Sequence, residues 1–200
     1  MSPPRELSRY LILPLIAVFL SSCETAFTPK PKGYFKIELP PKSYAKYESP
    51  YCPFIFETPE YSQVIRDTVF FDTIPHNPCW LTINYGDLKG TLYLSYMEIN
   101  TRDDLARMVD EAHILTSKHI VKAEAIDEIM ISTENNVHGI VYEVSGEAAS
   151  ALQFYLTDSV HHFIRCALYF YSVPNEDSLR PVTAFLKEDA MHMIKTLEWK

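Results

Sequence analysis

Residues 137–171 read VHGIVYEVSGEAASALQFYLTDSVHHFIRCALYFY, and this stretch decides the fold. It contains three runs rich in β-branched and aromatic residues, Val137–Val144, Ala151–Thr157 and His161–Tyr171, a composition typical of β-strands. The last two runs are joined by Asp158-Ser159-Val160, a short link of turn-forming character. Because links this short join antiparallel neighbours, the stretch predicts consecutive antiparallel strands.

The same pattern extends upstream. Ala125–Thr133 leads into the stretch through Glu134-Asn135-Asn136, which has tight-turn chemistry. Four more strands are predicted earlier in the chain, because polar and apolar residues alternate there or form short apolar runs between turn residues. They are Phe54–Glu57, Gln63–Phe71, Trp80–Tyr85 and Thr91–Met97.

A helix is predicted between the two groups of strands. Thr101 and Asp104 resemble a capping box, with Asp in place of the usual Glu or Gln. The apolar residues that follow fall on one face at helical spacing: Leu105, Met108, Val109, Ala112 and Leu115.

A second helix is predicted at the C-terminus. Its apolar face comprises Val182, Phe185, Leu186, Met193, Ile194 and Leu197. Pro181 is compatible with this helix only in the first turn, where its missing N–H has no intrahelical partner. Together these elements predict an α+β fold, a single sandwich domain in which a mainly antiparallel sheet is packed by two helices.

The N-terminus has the features of a lipoprotein signal peptide. Arg5 and Arg9 precede the apolar run Leu11–Leu20, which is too short to span a bilayer but has the length of a signal-peptide core. Leu20-Ser21-Ser22-Cys23 resembles a lipobox, so we expect residues 1–22 to be removed and Cys23 to carry lipid. The alternative is an ordinary signal peptide with a chance cysteine.

Residues 23–50 are interpreted as the lipidated N-terminus and a Pro-rich tether. Six of the fourteen prolines lie between Pro29 and Pro53, and Pro-rich segments are extended spacers. The segment Tyr34–Leu39 alternates imperfectly and is compatible with pairing to the domain. The predicted domain therefore occupies residues 51–200.

Composition excludes several functional classes. The signal segment contains two of the 18 basic residues and one of the 26 acidic ones, so the mature chain has 16 and 25, a net charge of −9. This balance argues against a nucleic-acid surface, which needs clustered Lys and Arg. Hydrophobic residues make up 47% of the chain, enough for a core without a metal, and five glycines are too few for a phosphate-binding loop.

Three cysteines remain after Cys23. Export places them in an oxidising compartment, where disulfides form. Cys52 and Cys79 lie in turn-like contexts, whereas Cys166 sits in an apolar strand, so we favour a Cys52–Cys79 disulfide with Cys166 in the core. A Cys52–Cys166 bridge is the alternative.

No catalytic or metal-binding constellation is predicted. His161 and His162 are adjacent on a strand and point to opposite faces, so they cannot bind one ion together. Ser145 lacks the nucleophile-elbow motif, and Arg165 faces away from Cys166. We expect no catalytic residue, no metal, no cofactor and no small-molecule substrate. The tyrosine-rich strands are equally compatible with a binding surface and with tyrosines that simply lie at the solvent-exposed border of a sheet.

Many ordered motifs of the mature chain are typical of one family. They are Pro31-Lys32-Gly33-Tyr34-Phe35, Cys52-Pro53-Phe54, Cys79-Trp80, Gln153–Ser159, His162–Phe170, Pro174–Leu179 and Thr196-Leu197-Glu198-Trp199. On these residues the chain resembles the D-type gliding-motility lipoproteins (GldD). The order of elements also resembles the PsbP/Mog1-like sandwich, a likeness that concerns the fold alone.

The resemblance implies an accessory component of the gliding-motility and type IX secretion machinery without enzymatic activity. Its partners would be other envelope proteins of that machinery. The alternatives are a purely structural spacer and an envelope ligand-binding or enzymatic protein with an aromatic-lined pocket, where Tyr155, His162 and Arg165 would converge. Because Glu24 is the lone acid directly after Cys23, we expect outer-membrane anchoring on the periplasmic side rather than export to the cell surface.

Overall fold

A seven-stranded antiparallel sheet forms the centre of the fold in the computed structural model, which describes residues 37–67, 77–173 and 175–200. Its strands are β3 (Gln63–Arg66), β4 (Leu81–Asn84), β5 (Gly90–Glu98), β6 (Ala123–Ser132), β7 (His138–Gly146), β8 (Ser150–Thr157) and β9 (His162–Phe170). Across the sheet they lie in the order β3-β4-β5-β9-β8-β7-β6.

The predicted antiparallel run is confirmed. Strands β6 to β9 pair consecutively, and β5 joins them by pairing with β9 along its whole length, from Gly90 opposite Phe170 to Glu98 opposite His162. The turn between β8 and β9 is organised by Asp158, whose carboxylate accepts hydrogen bonds from the backbone N–H groups of residues 160, 161 and 162 at 2.8–3.0 Å. A turn-forming residue therefore sets the register of the two central strands.

Helix α1, Arg102–Ser117, covers one face of this sheet. The capping box is present: the Asp104 N–H donates to Thr101 Oγ1, and Thr101 N–H donates to the Asp104 carboxylate. We call this side of the sheet the α1 face. Here Met108 and Ala112 of the helix pack on three aromatic side chains of β7, β8 and β9, namely Tyr142, Tyr155 and Phe163.

Helix α2, Glu176–Thr196, covers the opposite face, here called the α2 face. The main core lies between α2 and the large sheet. The sheet contributes Leu81, Leu92, Leu94, Leu152, Phe154, Ile164 and Leu168, and the helix contributes Val182, Leu186, Ala190, Met193 and Ile194. Pro181 is the sixth residue of α2, so its predicted restriction to the first turn was wrong. The helix tolerates it because the carbonyl left without a partner belongs to the exposed Asp177.

A small second sheet packs beside α2. It has the order β1-β2-β10, with β1 at Tyr44–Glu48, β2 at Phe54–Pro59 and β10 at Glu198–Trp199. The α+β fold class with two helices is thus confirmed. The boundary predicted at residue 51 is corrected, because β1 lies inside the range taken as tether and pairs with β2 from Tyr44 opposite Pro59 to Glu48 opposite Ile55.

The Cys52–Cys79 disulfide is present, with the two Cα atoms 5.4 Å apart. It links the segment before β2 to the segment before β4, and thereby the small sheet to the large one. Cys166 is a free thiol on the α2 face and is fully buried, as expected. Cys23 and the signal segment lie outside the described residues. Among the residues that are described, no helix is long and apolar enough to cross a membrane.

Candidate functional site

The best-defined surface site lies where the C-terminal strand meets the central sheet. His162 begins β9, Tyr96 lies near the end of β5, and Trp199 is in β10. We call the surface around these three residues the carboxy-terminal corner. The disulfide places the Tyr51–Pro53 segment at its border, so residues distant in the sequence form one surface.

His162 is held between two aromatic partners. Its Nδ1 lies 2.9 Å from the Tyr96 hydroxyl in a hydrogen bond, and its ring stacks on Trp199 with centroids 5.1 Å apart and planes 18° apart. Burial lowers the pKa of His162, although the charge of Asp158 acts against this shift. The imidazole is therefore favoured in its neutral form, in which it can stack on indole and accept from tyrosine.

Asp158 does not act on the His162 ring as a catalytic carboxylate would. Burial alone would raise the pKa of Asp158, but the three backbone N–H donors of the turn outweigh burial and lower it. All three N–H groups donate to Oδ1 of Asp158, whereas the hydrogen bond of the His162 ring is with the Tyr96 hydroxyl. The geometry stabilises the corner and does not form a catalytic triad.

Two open depressions flank His162. One has a volume of about 530 Å³ and is bordered by the disulfide segment, Glu98 and Asn100. The other has a volume of about 490 Å³ and is bordered by Asn135, Asn136 and Trp199. Tyr51 stands at the rim with 65% of its surface exposed. Shallow depressions with exposed aromatic and amide groups suit contact with a protein surface better than enclosure of a small molecule.

The three residues predicted to converge do not do so. Tyr155 and Arg165 are cross-strand neighbours on the α1 face, while His162 lies on the α2 face. Residues three apart on a strand point to opposite faces, a rule that could have separated His162 from Arg165 in the sequence.

Tyr155 and Arg165 each have a local packing role. Tyr155 is 8% exposed and stacks on Phe163 with centroids 5.3 Å apart. Arg165 donates to Gln153 Oε1 at 2.8 Å, and burial lowers the pKa of its guanidinium. The expected pocket lined by these side chains is therefore not formed.

Sequence reasoning missed a buried carboxylate at the centre of α2. Asp189 is fully buried, and it accepts hydrogen bonds from Lys42 Nζ at 2.5 Å, from the Tyr44 hydroxyl at 2.9 Å and from the Tyr61 hydroxyl. Burial, together with Asp189, raises the pKa of Tyr44 to about 12 and that of Tyr61 further. Lys42 and Asp189 are 147 residues apart, so no local spacing could have revealed the cluster.

A narrower groove lies between the β7–β8 hairpin and the first turns of α2. Its volume is about 260 Å³, and its lining includes Ala148, Leu152, Phe170 and Leu179. The Lys187 ammonium and the Glu143 carboxylate form an ion pair of 2.6 Å beside it. The groove combines aliphatic side chains with polar and charged ones such as Asn175 and Arg180, and Phe170 is its aromatic residue. It therefore differs from the aromatic-lined pocket of the alternative hypothesis.

The remaining candidates are Cys166 as a nucleophile and the histidines and acids as metal ligands. Burial raises the pKa of the Cys166 thiol, which disfavours the nucleophilic thiolate. Within the described ranges, no group of three or more His, Cys, Asp or Glu side chains is arranged to hold a metal ion.

Comparison with known proteins gives one family match. The model of the family described as gliding motility lipoprotein GldD matches residues 24–199. No curated protein is significantly similar to the chain. Among solved structures, the chain is similar to cyanobacterial PsbP (CyanoP) from Synechocystis sp. PCC 6803, with 11% identity, a TM-score of 0.42, and coverage of 83% of this chain and 98% of that one. At this score the likeness carries no argument about function.

Proposed function

Because this chain belongs to the gliding motility lipoprotein GldD family, we propose that it is a membrane-anchored accessory protein of the gliding-motility and type IX secretion machinery. In this proposal it has no enzymatic activity and works through contacts with other envelope proteins. The observation that carries the proposal is the extent of the family match, residues 24–199, which begins directly after Cys23 and includes every described residue except Lys200.

The proposed anchor is the lipid on Cys23, after removal of residues 1–22. A multiply acylated cysteine gives firm attachment, whereas one acyl chain gives only marginal binding. Residues from Cys23 up to the start of β1 would then form the link between membrane and domain, with the protein on the periplasmic side of the outer membrane. The lipobox-like Leu20-Ser21-Ser22-Cys23 and the lone acid Glu24 support this placement.

A non-enzymatic role is supported by what the polar groups of the domain do. Asp189 binds Lys42 and two tyrosines, and Asp158 binds three backbone N–H groups of its turn. Glu57 and His192 bind each other at 2.6 Å. Each of these arrangements connects elements of the fold, and none presents an activated nucleophile to a cavity.

We place a protein contact at the carboxy-terminal corner. His162 is the predicted contact residue that borders an open depression, and Trp199 and Tyr51 add aromatic surface beside it. Aromatic residues are enriched at protein interfaces, where they bury large area at low entropic cost.

Photo-crosslinking in native envelopes tests this placement. A photoreactive amino acid at Tyr51 (65% exposed) is compared with one at the similarly exposed Tyr171 (71%), which lies just after β9. We expect a defined adduct with a gliding or secretion protein from position 51 and not from position 171. Adducts of equal yield from both positions, or none from position 51, would refute the corner as an interface.

A second candidate function is binding of a small apolar ligand in the groove beside α2. Its volume of about 260 Å³ and the apolar part of its lining, which includes Ala148, Leu152 and Leu179, are the observations that favour it. Native mass spectrometry of protein isolated from envelopes would show a bound small molecule that Leu179→Trp removes. Identical spectra for wild type and variant would exclude this candidate.

A further inference from the structure

Strand β6 ends the seven-stranded sheet, and no other strand of the described ranges pairs with its outer edge. It is the last strand in the order, and among the described residues only β7 pairs with it. It spans ten residues, Ala123–Ser132, and its single register shift lies at the start, between Ala123 and Ala125. The regular ladder from Ala125 to Ser132 therefore offers roughly 26 Å of unpaired backbone donors and acceptors.

The other end of the sheet differs. The strand there, β3, has four residues, Gln63–Arg66. Short edge strands are one means by which proteins avoid unwanted pairing. The sequence of β6, AEAIDEIMIS, contains neither proline nor lysine, and its charged residues are three acids. These acids disfavour pairing with an acidic edge and leave pairing with a basic strand open.

Apolar side chains are exposed at the middle of this edge. Met130 is 86% exposed and Ile129 is 39% exposed, and they point to opposite faces of the sheet because they are adjacent on the strand. A strand added to the edge would cover both, since its side chains would alternate over the same two faces.

The charge on the edge is uniformly acidic. Glu124, Asp127 and Glu128 are exposed, and the strand contains no basic residue. Pairing of two copies of this edge would bring carboxylates together, which is unfavourable. Asp127 and Ile129 lie on one face of β6, and Glu128 and Met130 lie on the other. A strand with two adjacent basic residues followed by two apolar ones would therefore match the acid and cover the apolar residue on both faces.

We propose that β6 is a docking edge, to which an extended segment of a partner protein, with pairs of basic residues alternating with pairs of apolar residues, adds as an eighth strand of the sheet. The proposal rests on the proposed function, in which the protein works through partner contacts, and it names a second surface and the chemistry of its occupant. Backbone hydrogen bonds would supply affinity, and the acidic and apolar side chains of β6 would select the sequence.

A designed peptide tests the edge directly. The probe is a fluorescent octapeptide in which pairs of lysines alternate with pairs of valines, and the control peptide has glutamate in place of lysine. We expect anisotropy to show binding of the lysine peptide alone, weakened by salt. Asp127→Lys with Glu128→Lys should weaken it by roughly tenfold or more, since like charges would then face each other. Unchanged affinity in this variant, or equal binding of both peptides, would overturn the proposal.

Backbone N-methylation separates strand addition from simple charge attraction. Methylating alternate residues removes donors from one edge of the peptide and leaves the other edge intact. We expect one of the two methylation patterns to abolish binding and the other to preserve it. Equal affinity of both methylated peptides would show that no strand is added.

The native partner is sought with a photoreactive amino acid at Met130 and a control at Val173, which is also 86% exposed. We expect an adduct from position 130 whose crosslinked peptide belongs to another protein and contains pairs of basic residues next to pairs of apolar residues. Adducts only with the same chain, either from a second copy or from its residues 24–36, would overturn the proposal, as would adducts no stronger than those at position 173.

Different results would refute the docking edge at β6 and the proposed role in gliding and secretion. If cells lacking the protein lose motility but the Asp127→Lys/Glu128→Lys variant, at normal abundance and thermal stability, restores it fully, the docking edge is wrong and the proposed function stands. If cells lacking the protein glide and secrete normally while the peptide and crosslinking results hold, the docking edge stands and the proposed function is wrong.

Discussion

Asp189 is the residue on which the polar contacts of the interior converge. Its side chain is fully buried, while that of Lys42 is 25% exposed, and their atoms are 2.5 Å apart. Removing one partner of such a pair leaves the other charge poorly solvated. The cluster joins the segment before β1 to α2 through the Lys42–Asp189 contact.

Asp189→Asn keeps the shape of the side chain and removes its charge. We expect the free energy of unfolding to fall by about 3 kcal/mol, because the Lys42 ammonium loses its buried counterion. Urea unfolding measures the change. Glu188→Gln is the matched control, since Glu188 lies 3.7 Å from the same ammonium but is 73% exposed, and we expect it to cost less than about 1 kcal/mol. Equal effects would contradict this account.

His162 predicts a pH dependence of stability. Burial lowers its pKa in the folded protein, so the unfolded chain, with a pKa of about 6.5, takes up the proton first as the pH falls. The free energy of unfolding should therefore decrease between about pH 7.5 and 5.5. His162→Gln should make this slope shallower, although loss of the Trp199 stack lowers stability at every pH.

Urea unfolding at several pH values measures the slope. His161→Gln is the neighbouring control, because the His161 side chain is 70% exposed. We expect this control to keep the slope of the wild type. An unchanged slope in His162→Gln would show that the corner does not hold the imidazole in its neutral form.

At the scale of elements, the disulfide couples the two sheets. It joins residues 27 apart in sequence, one before β2 and one before β4. In the chain-entropy model, Cys52→Ser with Cys79→Ser should lower the free energy of unfolding by about 3 kcal/mol. Reductant should destabilise the wild type by a similar amount and leave the double variant unchanged. A wild type insensitive to reductant under unfolding conditions would contradict the predicted contribution.

Elements with local signals could be predicted from the sequence. The strands of the large sheet follow from alternation and turn residues, and α1 follows from Thr101 and Asp104 at its start. The strands of the small sheet that flank β2 were missed for physical reasons. Strand β1 lies between prolines, and β10 has two residues, so neither has a detectable period.

The sites depended on packing that no local pattern encodes. Trp199 reaches His162, and Lys42 reaches Asp189, only because the small sheet and α2 lie on the same face of the large sheet. The disulfide was predictable because turn-like contexts separated Cys52 and Cys79 from the strand residue Cys166. Strand alternation by itself places His162 and Arg165 on opposite faces, so their separation was also predictable from the sequence.

At the scale of the whole molecule, attachment through Cys23 is the first requirement of the proposed function. Cys23→Ala should leave the precursor unprocessed or release the protein from the membrane fraction, because the lipid-bearing thiol is absent. Ser22→Ala is the control, since it keeps a small residue before the cysteine, and it should remain processed and membrane-bound. Fractionation with an immunoblot measures both. A processed, membrane-bound Cys23→Ala variant would contradict lipid anchoring.

The central claim is a role in gliding and type IX secretion, and deletion with complementation tests it most directly. Colony spreading and secretion of a type IX substrate are measured in a strain that lacks the gene, and again after return of the wild-type gene or of Cys23→Ala. The account predicts loss of both activities on deletion, recovery with the wild type, and no recovery with Cys23→Ala. Normal spreading and normal secretion in the deletion strain would contradict it.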